Sequence, residues 1–203
     1  MNIYLNYCLI LLMSVPGALI ATTAHEFTRA LVSTRLGDDL PANQGRLTLN
    51  PMKHLEPIGF MLLIFIGGFG WGKPVETSAL YYKDRKKGIL MTAILPSVVN
   101  LVLAALFMIL YRTVGDVNAY VAMLLTYCYY YNVALVVYNC VPVVPMDCVK
   151  VLSVVLPANQ YYKFLQYEKT IQMVFLLLLF FGLNGIFSTI IQIVIGFMGM
   201  IFL

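Results

Sequence analysis

The sequence predicts an all-α polytopic membrane protein, one membrane-embedded domain over residues 1–203, and three observations predict it. Sixty-one per cent of the residues are hydrophobic and only 11% are charged, where a soluble domain has roughly a quarter charged. Mean hydropathy is +0.86. Four apolar stretches reach the about 20 residues that a helix needs to cross about 30 Å of hydrocarbon with every backbone group satisfied. These features exclude a soluble monomer and an intrinsically disordered chain. A disulfide-stapled miniprotein is excluded as well, because four cysteines are spread over the whole length. Cys8, Cys128, Cys140 and Cys148 lie in or beside apolar stretches without C-x-x-C spacing, so they read as small hydrophobes.

The first predicted span covers about 3–34 and carries Glu26 and Arg29 near its end. It has no basic leader region and no small-residue cleavage site, so it is read as retained. Ile58 to Gly72 is apolar, short and interrupted by Gly59, Gly67, Gly68, Gly70 and Gly72, which makes it a re-entrant or edge-strand segment. Spans follow over about 88–111 and about 119–141. A short segment from Asp147 to Leu156 starts after Pro145 and is bounded by Pro157. The last apolar stretch, about 170–203, is long enough for Gly182-Leu183-Asn184-Gly185 to break it in two.

Lysine and arginine positions set the expected orientation. With the glycine-rich segment not crossing, Arg35, Arg46, Lys53, Lys73, Lys83, Arg85, Lys86 and Lys87 share one side with the Lys150–Lys169 loop, and Arg112 stands alone opposite. The basic loops are therefore expected to be cytoplasmic and the N-terminus external. The run Asp84-Arg85-Lys86-Lys87 reads as a topology signal in contact with membrane lipids, with no nucleic-acid partner.

Charges inside a span are expensive, so Glu26, Arg29 and Asp147 mark the functional region. On a helix, H-E-x-x-H sets two imidazoles one turn apart, where both reach one zinc while the glutamate acts as base. Here the string is His25-Glu26-Phe27-Thr28-Arg29, with Arg29 in the second position. A guanidinium keeps its proton and has no lone pair for a metal. Arg29 together with a protonated His25 balances Glu26 and Asp147 without any metal. Asn132 and Asn139, seven apart, share a helical face from which they bond neighbouring helices or an extended peptide. The tract Tyr127-Cys128-Tyr129-Tyr130-Tyr131 is either an aromatic wall for a substrate helix or ordinary interfacial packing.

Gly45-Arg46-Leu47-Thr48-Leu49-Asn50-Pro51-Met52-Lys53-His54-Leu55-Glu56-Pro57-Ile58-Gly59, Gly68-Phe69-Gly70-Trp71-Gly72-Lys73-Pro74-Val75 and Asn139-x-x-Pro142-x-x-Pro145-Met146-Asp147 resemble, in order and spacing, segments of the bacterial branch of the site-2 protease family. The resemblance implies a helical core with a zinc site below the membrane surface, with His25 and Asp147 as ligands, Glu26 as general base and Asn100 near the substrate strand. It also implies intramembrane peptide hydrolysis, a transmembrane protein substrate and a multi-pass location in a bacterial plasma membrane. Asn139 falls in the same motif and joins Asn100 as a substrate-binding candidate. The chain departs from the family pattern at Arg29, at Pro96 and Ser97, and at Cys148.

Three readings follow. The first is a degenerate metalloprotease that binds transmembrane client helices, with Arg29 replacing the metal and no cofactor. The second is an active zinc intramembrane protease in which His54, the remaining histidine, supplies the missing ligand. The third is an unrelated channel or transporter with a buried charge cluster, against which stands the lack of an internal repeat.

Overall fold

The computed structural model describes the backbone of residues 3–202 and the side chains of residues 7–202. Among the described residues the architecture is all-α, without strands, and four helical stretches are long and apolar enough to cross a membrane. Helices α1 (Ile3–Arg35), α5 (Arg85–Val114) and α6 (Ala119–Asn139) pack against one another as the central bundle. Between α1 and α5 lie three short helices, α2 (Leu40–Asn43), α3 (Pro51–His54) and α4 (Pro57–Phe65). After α6 come α7 (Cys148–Val155), α8 (Ala158–Gln166), α9 (Glu168–Leu178) and α10 (Asn184–Phe202).

The helix starts are written in the sequence. Pro51 and Pro57 occupy the first turns of α3 and α4, where a missing N–H costs nothing. The side chains of Asn50, Asp84 and Asn118 accept from backbone N–H groups two or three residues on and cap α3, α5 and α6. The expected break in the last apolar stretch falls at Gly182, whose φ of 139° interrupts the helical path between α9 and α10.

The Ile58–Gly72 segment divides between its two predicted characters. Its first half is helix α4, whose nine residues rise only about 14 Å, half the hydrocarbon thickness. Gly67 and Gly68 then turn the chain in the left-handed region, with φ of 62° and 101°. A Cβ on Gly68 would lie 2.8 Å from the Ala134 Cβ on α6, so the turn can be made this close only without a side chain. The following residues return along α4 and α3: Gly70 packs on Leu63 and Gly59, Trp71 on Gly59, and the Lys73 N–H donates to the His54 carbonyl at 2.7 Å. The segment is thus re-entrant. Its extended return, here called the strap, pairs with no strand among the described residues, because its neighbour is a helix.

Two apolar clusters hold these parts in place. Ala18, Ala21, Leu63, Tyr131 and Leu135 join α1, α4 and α6. Phe69 packs edge-on against Tyr138 and Phe175, with ring centroids 5.1 and 5.5 Å apart, and fixes the strap to α6 and α9. Met108, Met146, Ile191 and Met198 extend this second cluster across α5, the α6–α7 connection and α10. The polar cluster lies where α1, α5, α6, the strap and the start of α7 meet.

Candidate functional site

Helix periodicity gathers the first half of the site. His25 and Arg29, four apart on α1, share one face, and Glu26 precedes Arg29 by three. The second half is carried by the α6–α7 connection, where Asp147 sits just before the first residue of α7. His25, Glu26, Arg29 and Asp147 are all at most 4% exposed, so each charge needs a partner.

Arg29 supplies those partners. One guanidinium nitrogen donates to both Glu26 oxygens at 2.6 Å. The other donates to Asp147 Oδ1 at 2.5 Å and stands 3.1 Å from His25 Nε2. His25 Nε2 is also 2.9 Å from Asp147 Oδ2. Burial alone would raise the Asp147 carboxyl, but the Arg29 charge and the His25 hydrogen bond override it and hold the group well below the usual carboxylate range. Lys150, one turn into α7, brings a second cation to within 3.8 Å of Asp147 Oδ1. Its Nζ is buried without a hydrogen-bond partner although the side chain is 31% exposed. Burial, and then the Arg29 charge, pull its pKa down to about 8.

A chain of amides fixes the imidazole. Asn132 Nδ2 donates to the Cys128 carbonyl and turns Asn132 Oδ1 toward Asn100 Nδ2, 2.7 Å away. Asn100 Nδ2 also donates to the Ala21 carbonyl, so Asn100 Oδ1 faces His25 Nδ1 at 2.8 Å. Nδ1 therefore carries a hydrogen toward Asn100, and the Nε2 contact to the Asp147 carboxylate oxygen is a hydrogen bond only with Nε2 donating. Asn139 Oδ1 accepts from the Asp147 N–H at 3.1 Å. Asn100 and Asn139 are thus both engaged within the protein, and the Asn132 and Asn139 side chains fall on the shared face their spacing predicts.

This donor set does not fit a zinc ion. Catalytic zinc takes three protein ligands and a water, whereas His25 Nε2 and Asp147 offer two, and one guanidinium nitrogen lies within hydrogen-bond distance of both. His54 stands apart from the cluster. It is fully buried, its Nε2 donates to the Thr48 carbonyl at 2.7 Å, and its Nδ1 faces an Arg46 nitrogen at 3.5 Å. Burial, assisted by the Arg46 charge, lowers its pKa.

Several contributors have no signature that a motif scan detects. The Val75 N–H on the strap donates to Glu26 Oε2 at 2.8 Å. Arg46 donates to the Lys73 carbonyl at 2.5 Å and to the Pro74 carbonyl at 3.4 Å, gripping the strap from α2's side. Asp38, fully buried, accepts from the Ser78 N–H and from Ser33 at 2.7 Å and holds the strap's far end. Tyr130, from the aromatic tract, donates to the Gly67 carbonyl at 2.7 Å, and Tyr131 is buried in the core. Over the cluster remains a cavity of about 10 Å³, lined among others by Thr22, Glu26, Arg29, Trp71 and Pro145. That is room for one water.

No family model matches the chain, and no solved structure matches it. Curated proteins do. It is 31% identical to "Putative zinc metalloprotease YwhC" of Bacillus subtilis over 88% of this chain and 85% of that protein. It is 30% identical to "Putative zinc metalloprotease Rip2" of Mycobacterium tuberculosis over 90% of this chain and 73% of that one. With the Rip2 of Mycolicibacterium smegmatis it shares 34% identity over 55% of this chain and 44% of the relative. With identity of this order over nearly the full length of both proteins, the chain belongs to the site-2-protease-type metalloprotease family.

Proposed function

We propose that this protein is a metal-free member of its family that binds transmembrane segments of other proteins without cleaving them. One observation carries the reading: a single guanidinium bonds both the would-be base Glu26 and the would-be ligand Asp147, and stands 3.1 Å from His25 Nε2. A base must have a lone pair directed at a water. In this chain the Glu26 oxygens take hydrogen bonds from Arg29 and from the Val75 backbone. With His25 protonated, the two cations and two anions sum to zero, which is the charge that zinc with Glu26 and Asp147 would give. The protein is multi-pass by its four apolar helices; the proposed setting is a bacterial plasma membrane with the basic loops in the cytoplasm.

The relatives' names supply the rival reading, a zinc-dependent protease in which Glu26 is the base and His54 completes the ligands. Zinc per chain separates the two. Protein purified without chelators or histidine tags is expected to contain less than one zinc in ten chains, and to form cross-links to a photoreactive model transmembrane helix that stays intact. Near-stoichiometric zinc with cleavage abolished by Glu26→Gln would overturn the proposal.

A further inference from the structure

The net charge of this protein is confined to one place. The whole chain carries +4, and Arg35, Lys83, Arg85, Lys86 and Lys87 with Asp84 account for all of it, since the remaining residues hold eight cations and eight anions. These six residues meet where α1 ends and α5 begins. Four of them, Arg35, Lys83, Asp84 and Lys87, line a cavity of about 290 Å³ there.

The side chains of Arg35, Lys83 and Lys87 are exposed, and three features set the cavity they line apart from a scattered basic surface. Among the described residues, no carboxylate lies within 4 Å of any of the three cations. The one acidic wall residue, Asp84, is committed to the α5 cap, accepting from the Lys87 N–H at 3.0 Å. The remaining wall is apolar, formed by Leu36, Met91 and the buried Gly88, against whose backbone the Tyr82 ring packs. Both flanking helices are membrane spans, so a ligand here meets cations on its headgroup side and an apolar wall on its hydrocarbon side.

We infer that this cavity binds the headgroup of an anionic phospholipid, phosphate among Arg35, Lys83 and Lys87 and glycerol backbone against Leu36 and Met91. A free phosphate would satisfy the cations and leave the apolar wall unused. The site lies outside the charge cluster on α1 and does not depend on whether that cluster holds a metal.

Native mass spectrometry of delipidated protein in neutral detergent tests the inference, titrated with phosphatidylglycerol and separately with phosphatidylcholine. Wild type should retain one phosphatidylglycerol in preference to phosphatidylcholine. Removing a cation weakens anionic-lipid binding by about 1 kcal/mol, or about fivefold. The variant Arg35→Gln, Lys83→Gln, Lys87→Gln should therefore lose on the order of a hundredfold, while Lys53→Gln, Lys163→Gln, Lys169→Gln, which removes equal charge elsewhere, stays near wild type. Photoreactive phosphatidylglycerol on wild type alone should label the Arg35–Leu36 and Lys83–Met91 peptides, which keeps the test valid if a variant misfolds. Equal loss in both triple variants, labelling elsewhere, or displacement of the lipid by millimolar inorganic phosphate would overturn it.

Discussion

Replacing Arg29 by histidine turns the central claim into a stability measurement. Arg29 is 2% exposed and makes contacts of 2.5 to 3.1 Å to two carboxylates and an imidazole. Breaking a buried ion pair by removing one partner costs about 3–5 kcal/mol, because the abandoned charge stays buried. Here Arg29→Ala abandons two, and the nearest other cation, Lys150, is 3.8 Å from Asp147. For a chain of this length each kcal/mol moves the melting temperature by about 2–4 °C, so Arg29→Ala should melt at least roughly 6 °C below wild type in detergent. Arg29→His carries the same deficit without metal. It also restores two imidazoles at i and i+4 beside Asp147, three ligands in all, as catalytic zinc sites use. Zinc at a thousand times its Kd would then return about 4 kcal/mol, and the variant's melting temperature should rise with zinc by roughly 8–16 °C. Wild type should show no response to zinc or chelator. A wild type that loses stability on chelation, or an Arg29→His that ignores zinc, would refute the assignment of Arg29 as the cation of this site.

Three further expectations are independent of that one. In a cysteine-free background, an impermeant thiol reagent should label single cysteines at Ser78 and Asn118 from opposite sides of the membrane; labelling of both from one side would refute the topology. Gly17→Ala should cost about 1–3 kcal/mol, because the new Cβ falls 2.7 Å from the Tyr127 carbonyl carbon and oxygen where α1 crosses α6; an unchanged melting temperature would show that the crossing relaxes freely. His54 donates from Nε2 and turns Nδ1 toward Arg46, so a second proton would set an N–H against a guanidinium. Its folded pKa is lowered by burial while the unfolded value is about 6.5, so the unfolded chain takes the proton first, and stability falls as pH drops from about 6.5 through the lower folded value. Between pH 7.5 and 5, wild type should lose more melting temperature than His54→Gln; parallel losses would remove His54 as the cause.

Hydropathy made the four spans legible, since a continuous apolar run of this length satisfies its own backbone in lipid as a helix, and the helix caps and the Gly182 break were legible from residue type. The re-entrant segment was legible in length but not in form, because a short glycine-rich apolar run suits a helix or a strand equally; it proves to contain a half-depth helix and an extended return. In the cluster, His25, Glu26, Arg29 and Asp147 were legible because ionisable residues in apolar sequence are few. Their charge balance further implied that Arg29 would be paired. What stayed hidden was contributed by backbone. The Val75 N–H on Glu26, the Lys73 and Pro74 carbonyls under Arg46, and the Ser78 N–H on Asp38 span 27 to 49 residues of sequence; every residue type offers the carbonyl and every type but proline the N–H, so side-chain identity cannot announce them. Lys150 was read only as a loop cation, because its burial depends on how α7 packs against α5.

These hidden contacts give Glu26 a structural part in this chain. In a protease the base must be held loosely enough to exchange a proton, and replacing it by glutamine keeps the shape while removing the chemistry. Here Glu26 is a junction: its carboxylate is one of Arg29's two anions and also the acceptor that ties the strap to α1. Glu26→Gln leaves an amide oxygen that can still accept from Val75. Its other terminal atom, an NH₂ group, would face the Arg29 nitrogen that now lies 2.6 Å from both oxygens. Losing a charge-assisted hydrogen bond at a buried site costs about 1.5–3 kcal/mol, so Glu26→Gln should melt roughly 3–12 °C below wild type. Glu76→Gln, which alters only an exposed contact to Gln44, should not. Removing both partners tests the cause: Glu26→Gln combined with Arg29→Gln still abandons Asp147, but it should lose less than the sum of the two single losses, a coupling that a double-mutant cycle reads directly. If Glu26→Gln is as stable as wild type, Glu26 is not bound to Arg29 in the membrane, its carboxylate is free to act as a base, and the metal-free reading of the site fails with it.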